Sequence, residues 1–400
     1  MKRQVMALAG MLSAATCTLM ASCAANDDAE PPKGDTSTLP EAAPGSDAGN
    51  DADADVDVGA GCNGAAWCMV PTSVSPLSVL KAIWGTGKND IWAAGSGGAI
   101  AHYDGTTWST IPSGVKHTFN AIWGSSPNDV YLVAAADAIF HTTGANGASA
   151  TLTPLPVKGL GVEGTRIHAI WGTSPADVRL GSDYYDYLDL EANERLGSQF
   201  VLSKDDKGDG GGARASGWSP VPFATGDQPD TLISSIWGSS STDIWMAASQ
   251  WNVPGREAVM FHGQAARGGL GLTEVDSQSS SPLESIHGTS STDVWAVGAG
   301  GTIRHFGAGN SRWQLVDSPT TETLHAVWAS APNDVWAVGD KGTIIHYDGK
   351  TFAASSAELP QGRTPTLYGI WGSGPNDVWI VGDAIVLHYT GPSGSTGGTP

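Results

Sequence analysis

Short apolar runs recur along this chain between Gly, Asn-Asp and Asp-Gly turns, and nearly the same wording returns seven times. One copy reads LHAVWA at 324–329, VWAVG at 335–339 and TIIHY at 343–347, followed by a weaker run at 351–360. Each run is too short and too rich in β-branched residues to be a helix. Most are apolar at consecutive positions, so both faces of each strand must be covered. The copies open at AIWGTGKNDIWAAG (82–95), AIWGSSPNDVYLVA (121–134), AIWGTSPADVRLGS (169–182), SIWGSSSTDIWMAA (235–248), SIHGTSSTDVWAVG (285–298), AVWASAPNDVWAVG (326–339) and GIWGSGPNDVWIVG (369–382).

A period near forty residues with four short strands per copy predicts an all-β chain, a seven-bladed β-propeller of four-stranded antiparallel blades. The ends of the chain bear on this parse. The seventh copy stops after its third strand, AIVLHYTG (384–391), while AAWCMVP (65–71) reads as a fourth strand with no blade of its own. The N-terminal strand 65–71 is therefore expected to complete the last blade and close the ring, which removes two open sheet edges.

Residues outside the repeats divide the rest of the chain. MKRQVMALA and the apolar run after it have the charge-then-apolar design of an export signal, expected over 1–22. Residues 23–61 are Ala, Gly, Pro and Asp without apolar periodicity and read as a solvated acidic linker. The body is expected over 62–391, with a flexible tail at 392–400. Alternating aspartates at 51–57 do not make a calcium loop. The bidentate Glu that ends such a loop would fall on Cys62 or Gly64. Of four cysteines, Cys62 and Cys68 are left to pair as a disulfide in an exported chain.

The net charge of -20 argues against nucleic acid, because no basic stripe is present to neutralise phosphates. An acidic surface also repels anionic headgroups, so membrane contact is expected only through an anchor. The sequence Leu19-Met20-Ala21-Ser22-Cys23 resembles the bacterial lipobox. That resemblance implies cleavage before Cys23, lipid on Cys23, and placement in the outer membrane, facing the periplasm or the surface. The repeats themselves resemble the Trp-rich propeller repeats of lipoproteins from myxobacteria and their relatives. They are more distantly similar to BNR/Asp-box, kelch and WD-repeat propellers. The resemblance covers about residues 65–390 and implies a fold rather than a function. DGTTW (104–108) is near an Asp box, with His102 where that motif has Ser or Thr.

Acidic and imidazole side chains recur within the repeat at a fixed spacing. Asp90 and His102, Asp129 and His141, Asp293 and His305, and Asp334 and His346 are each twelve apart, and Asp377 and His388 eleven. Asp opens strand two and His closes strand three, so a cross-strand hydrogen bond is expected to pin the hairpin. Val201 stands where blade three should have its His, and blade four spaces Asp243 and His262 more widely. The strand-one Trp residues (84, 123, 171, 237, 328, 371) are expected to fill the wedges between blades, with His287 the one replacement. No nucleophile elbow, zinc-helix motif or phosphate loop is present in the sequence.

Interruptions of the repeat are the candidate binding patch. SDYYDYLDLEANERLG (182–197) and SQWNVPGREA (249–258) lengthen the 2–3 connections of blades three and four on one face. The patch comprises Tyr184, Tyr185, Asp186, Tyr187, Trp251 and Arg256, together with His287. No cofactor or metal is implied, calcium being conceivable only at the Asp-rich loop 204–217. The functional expectation is a monomeric, lipid-anchored, non-catalytic binding or scaffold module for a surface protein or polysaccharide. The alternatives are a glycan-active enzyme of sialidase or lyase type and a purely structural envelope component.

Overall fold

A computed structural model describes residues 65–389 and 391, apart from 135–137, 157–165, 184–186, 190–193, 203–217, 223–230, 251–257 and 267–268. The expected export signal, linker and tail, with Cys23 and Cys62, lie outside the described residues. The chain folds into consecutive antiparallel sheets, each built on one copy of the repeat, with Cys68–Met69 joining the last. In the sixth copy, Leu324–Ala331, Asp334–Gly339, Ile344–Tyr347 and Phe352–Ala354 pair in chain order. Strands one and two meet with Leu324 opposite Gly339, Trp328 opposite Trp336 and Ala331 opposite Asp334.

The apolar second strand is explained by its covering. Val335, Ala337 and Val338 are fully buried and Trp336 nearly so, because a neighbouring sheet packs on each face. Trp295, Val297 and Ile303 of the fifth sheet pack with Leu324, Val327, Val335, Ala337 and Ile345 of the sixth. Trp379, Val381 and Val386 of the seventh pack in the same way with Leu80, Ile91 and Ala93 of the first.

Two expectations are corrected. Seven four-stranded sheets were expected, whereas six have four strands and the third has five. The extra strand comes from the insertion at 182–197. It folds back as a hairpin in which Tyr187–Asp189 pairs with Glu194–Leu196 at the start of the long strand Glu194–Leu202. That long strand also pairs with Arg179–Gly181 of strand two and with Trp218–Pro222. The second correction concerns the N-terminal strand. Only Cys68–Met69 is strand, pairing Cys68 with His388 and Met69 with Leu387.

The rest of segment 65–71 makes other bonds. Trp67 bridges to Ala357 of the sixth repeat, its carbonyl accepting the Glu358 N–H at 2.9 Å. The Val70 N–H donates to the Val386 carbonyl at 2.9 Å. Beyond it, the Thr110 N–H donates to Ser73 Oγ at 2.9 Å, in the outer strand of the first sheet. One short segment therefore touches the sixth, seventh and first sheets. Its anchor is Trp67, which is fully buried and meets Trp336 edge-on at 5.0 Å and Tyr389 at 5.2 Å. Trp67→Ala is expected to cost about 3–5 kcal/mol in urea unfolding. Met69→Ala, at a site nearly half exposed, should cost under about 1 kcal/mol. Equal small losses would remove Trp67 as the anchor.

Candidate functional site

The repeated Asp and His meet in every sheet where both occur. His Nε2 lies 2.8 Å from Oδ1 of the Asp for His102–Asp90 and His305–Asp293, 2.9 Å for His141–Asp129 and 2.6 Å for His346–Asp334. His388–Asp377 and His262–Asp243 stand at 2.7 Å. The bond is diagonal rather than directly cross-strand, because each His is in register with the aromatic residue two positions after the Asp. The imidazole can therefore lie flat on that ring, 3.9 Å from Trp336 and 3.8 Å from Trp379. The other carboxylate oxygen accepts a strand-one hydroxyl, such as Thr86 at 2.6 Å or Thr173 at 2.7 Å. In the third sheet Val201 is indeed in register with the aromatic position, here Arg179. The Arg179 guanidinium replaces the imidazole, donating to Asp177 at 3.0 Å.

These carboxylates are bound by structure. Burial alone would raise Asp90, Asp293, Asp334 and Asp377. The donated hydrogen bonds from His and Ser or Thr outweigh it and hold all four below the usual carboxylate range. A depressed folded-state value stabilises the fold above the unfolded value near ~3.9. That stability is lost as pH falls through the lower folded values. Urea midpoints should therefore fall as pH drops below about 4. Asp334→Asn should flatten this drop and cost about 1–3 kcal/mol at neutral pH. An unchanged acid profile would show that the pairs carry no such stability.

The strand-one Trp residues fill wedges, each against the next sheet. A Cβ built on Gly124 would lie 2.5 Å from Cη2 of Trp84, and one on Gly372 would lie 2.7 Å from Trp328. Trp123, Trp171, Trp237 and Trp371 stand likewise against Gly172, Gly238, Gly288 and Gly85. His287 breaks the series, and so does its neighbour, which is Ala329 instead of Gly. The smaller imidazole leaves room for the methyl, and Nδ1 accepts the Ala329 N–H at 3.2 Å. Burial pushes the His287 imidazole down to about 4, so it is neutral and can accept that bond. His287 thus belongs to the wedge series, two register pairs from the 1–2 turn, and not beside the 2–3 insertions. His287→Trp alone should destabilise by about 1–3 kcal/mol through overpacking. Ala329→Gly in the same chain should recover most of it, with a coupling of at least about 1 kcal/mol in a double-mutant cycle. Additive losses would break the pairing.

Of the other patch residues, Tyr184, Tyr185, Asp186, Trp251 and Arg256 lie outside the described residues. Tyr187 opens the added strand of the third sheet. Both insertions do sit in 2–3 connections, after Asp177–Ser182 and Asp243–Gln250.

That end of the molecule holds a second feature. Every strand one carries a β-bulge near its start. The bulged residues are Lys81, Asn120, His168, Ser234, Glu284, His325 and Tyr368, while the positions around them barely change. Next to them opens the mouth of a cavity of about 210 Å³ lined by all seven first strands, including Ala82, Ala121, Ala169, Ser235, Ser285, Ala326 and Gly369; Asn120, His168 and Ser234 line it themselves, while Lys81, Glu284, His325 and Tyr368 only adjoin lining residues in sequence. Asn120 Nδ2 donates to the Ile167 carbonyl at 3.2 Å, and Ser234 Oγ to that of Leu283 at 2.8 Å. His168 holds Asp183 at 2.5 Å, and His325 holds Asp340 at 2.8 Å. The Tyr368 ring lies tilted to that of His325 with centroids 5.3 Å apart, and the Lys81 ammonium is 5.5 Å from the Tyr368 ring. Sequence reasoning passed over this ring. The signal was available in the seven aligned first strands, LKAIWG, FNAIWG, IHAIWG, ISSIWG, LESIHG, LHAVWA and LYGIWG, whose second letter alone changes character throughout.

No known protein family matches the chain, and no curated protein sequence does. Solved structures do resemble it. YCF48 bound to a D1 peptide superposes with a TM-score of 0.57 at 15% identity, covering 84% of this chain and 98% of that one. YCF48 from Cyanidioschyzon merolae gives 0.58 at 16% identity, over 81% and 99%. The WD40 β-propeller domain of Doa1 gives 0.57 at 9% identity, over 82% and 98%. At such identities the likeness is one of fold, and the fold is a β-propeller of four-stranded antiparallel blades.

Proposed function

We propose that this chain is an exported, lipid-anchored binding module whose functional face is the end bearing the 2–3 connections. Its partner on that reading is a protein of the cell envelope, and it performs no catalysis. One observation carries the reading. Seven near-identical first strands each bulge at one position, and those seven positions carry six residue types at the end bearing the 2–3 connections. A first strand whose bulged residue changes while its neighbours barely do is organised for recognition. A propeller neighbour bound to a peptide is compatible with a protein partner.

The same reading takes the seven sheets as a closed ring with the N-terminal segment as its clasp. The Cys68–His388 register and the Trp371–Gly85 wedge support closure. A Cys62–Cys68 disulfide would brace that clasp, and lipid on Cys23 would tether the body through the acidic linker.

Full-length chain carrying Cys23→Ser should move from the membrane to the soluble fraction. That soluble chain should bind isolated envelopes, and protease treatment of the envelopes should abolish binding while removal of polysaccharide should not. His325→Ala/Tyr368→Ala at the mouth should lower binding at least about fivefold, with the fold unchanged by circular dichroism. Membrane retention of Cys23→Ser would overturn the anchor. Protease-resistant binding would overturn the protein partner, and release of reducing sugar by the chain would overturn the non-catalytic reading.

A further inference from the structure

The seven bulged residues of the mouth are not equally committed. Asn120, His168 and Ser234, on the second to fourth blades, spend their polar atoms on neighbouring protein groups. On the opposite arc His325 is held in the same way, by Asp340, and the difference lies in the charged residues. Lys81 and Glu284 are exposed, and among the described residues neither has an ion-pair partner. Between them in blade order stand Tyr368 and His325, whose rings lie 5.3 Å apart. The Lys81 ammonium is 5.5 Å from the phenol ring. His325 Nε2 is held by Asp340, and Thr366 Oγ1 donates to the same Oδ1 at 3.3 Å. The arc thus runs cation, aromatic, aromatic, anion, with the two charges on separate sheets. Leu77, 92% exposed in the connection leading into Lys81, adds an apolar contact at the cationic end.

We infer that this arc is a docking site for an extended peptide segment carrying one acidic and one basic residue. The acid pairs with Lys81 and the base with Glu284. The backbone between them crosses the Tyr368 and His325 rings, and an apolar residue beside the acid covers Leu77. This rests on the reading of the mouth as a protein-binding face and adds the chemistry of what is bound. Exposed pairs each give modest affinity, so selectivity arises from requiring both signs at once, with the wrong sign repelled at either end.

Fluorescein-labelled nine-residue probes test this on the full chain carrying Cys23→Ser. One probe has Leu and Asp near one end and Lys near the other, separated by Gly and Ser. Two further probes have both charges acidic or both basic. The mixed probe should bind about tenfold more tightly than either, and binding should weaken as salt rises. Lys81→Glu should transfer preference to the all-basic probe, and Glu284→Lys to the all-acidic probe, each with circular dichroism unchanged. Tyr368→Leu should weaken the mixed probe without altering that charge preference. Equal binding of the three probes, or charge reversals that leave the preference unmoved, would overturn the inference. If that happens while envelope binding still depends on His325 and Tyr368, the mouth remains a protein site and only the ligand chemistry falls. If envelope binding is lost as well, the underlying reading falls with it.

Discussion

The structure depends on one contact repeated around the axis. An indole on the first strand of one blade presses on the backbone of the next at a residue with no side chain. That contact sets how closely two sheets approach and buries the aromatic payload that dominates a core of this kind. It explains why Trp and Gly are both abundant in one chain. The blade-five exception follows the same constraint, since an imidazole in place of an indole is matched by a methyl in place of a hydrogen. Close packing transmits a volume change at one position to its neighbour.

Next to that contact, the Asp of each hairpin collects donors from three places: a strand-one hydroxyl, the imidazole of strand three and, in blades one, five and seven, the indole N–H of strand two. The carboxylate is a hub that locks three strands in register. Residues that look like acid–base machinery are therefore consumed by the fold. The third blade makes the point by substitution, because Arg179 supplies the missing hydrogen-bond donor from strand two. A hub with its lone pairs occupied has little left for a ligand, and strand three stands away from the axis.

Legibility divided along physical lines. The strands, their turns and the wedge role of Trp84 or Trp328 were readable because burial on both faces leaves an uninterrupted apolar run. The fifth strand of blade three was not, since Tyr187–Asp189 carries no pattern that separates a hairpin from a loop. The N-terminal strand was placed on the correct partner but drawn too long. Trp67 turns to the sixth blade, a choice made by tertiary packing that local sequence does not encode. The mouth ring was missed for a different reason. A bulge shifts one residue out of alternation, and within a single copy Lys81 or Glu284 looks like an ordinary polar position. Only the comparison of all seven first strands separates it from its surroundings.

The pairing of Cys68 with His388 also has a temporal side. Its partners are roughly 320 residues apart, and the entropy of closing so long a loop is spent before the contact returns anything. Local hairpins can form as each copy emerges, but the seventh sheet must wait for both ends of the chain. Until then its third strand has a bare edge able to accept the same segment from another molecule. Two copies exchanging residues 65–71 would satisfy every hydrogen bond of the single chain, a domain swap whose competitor is only the local concentration of the chain's own N-terminus.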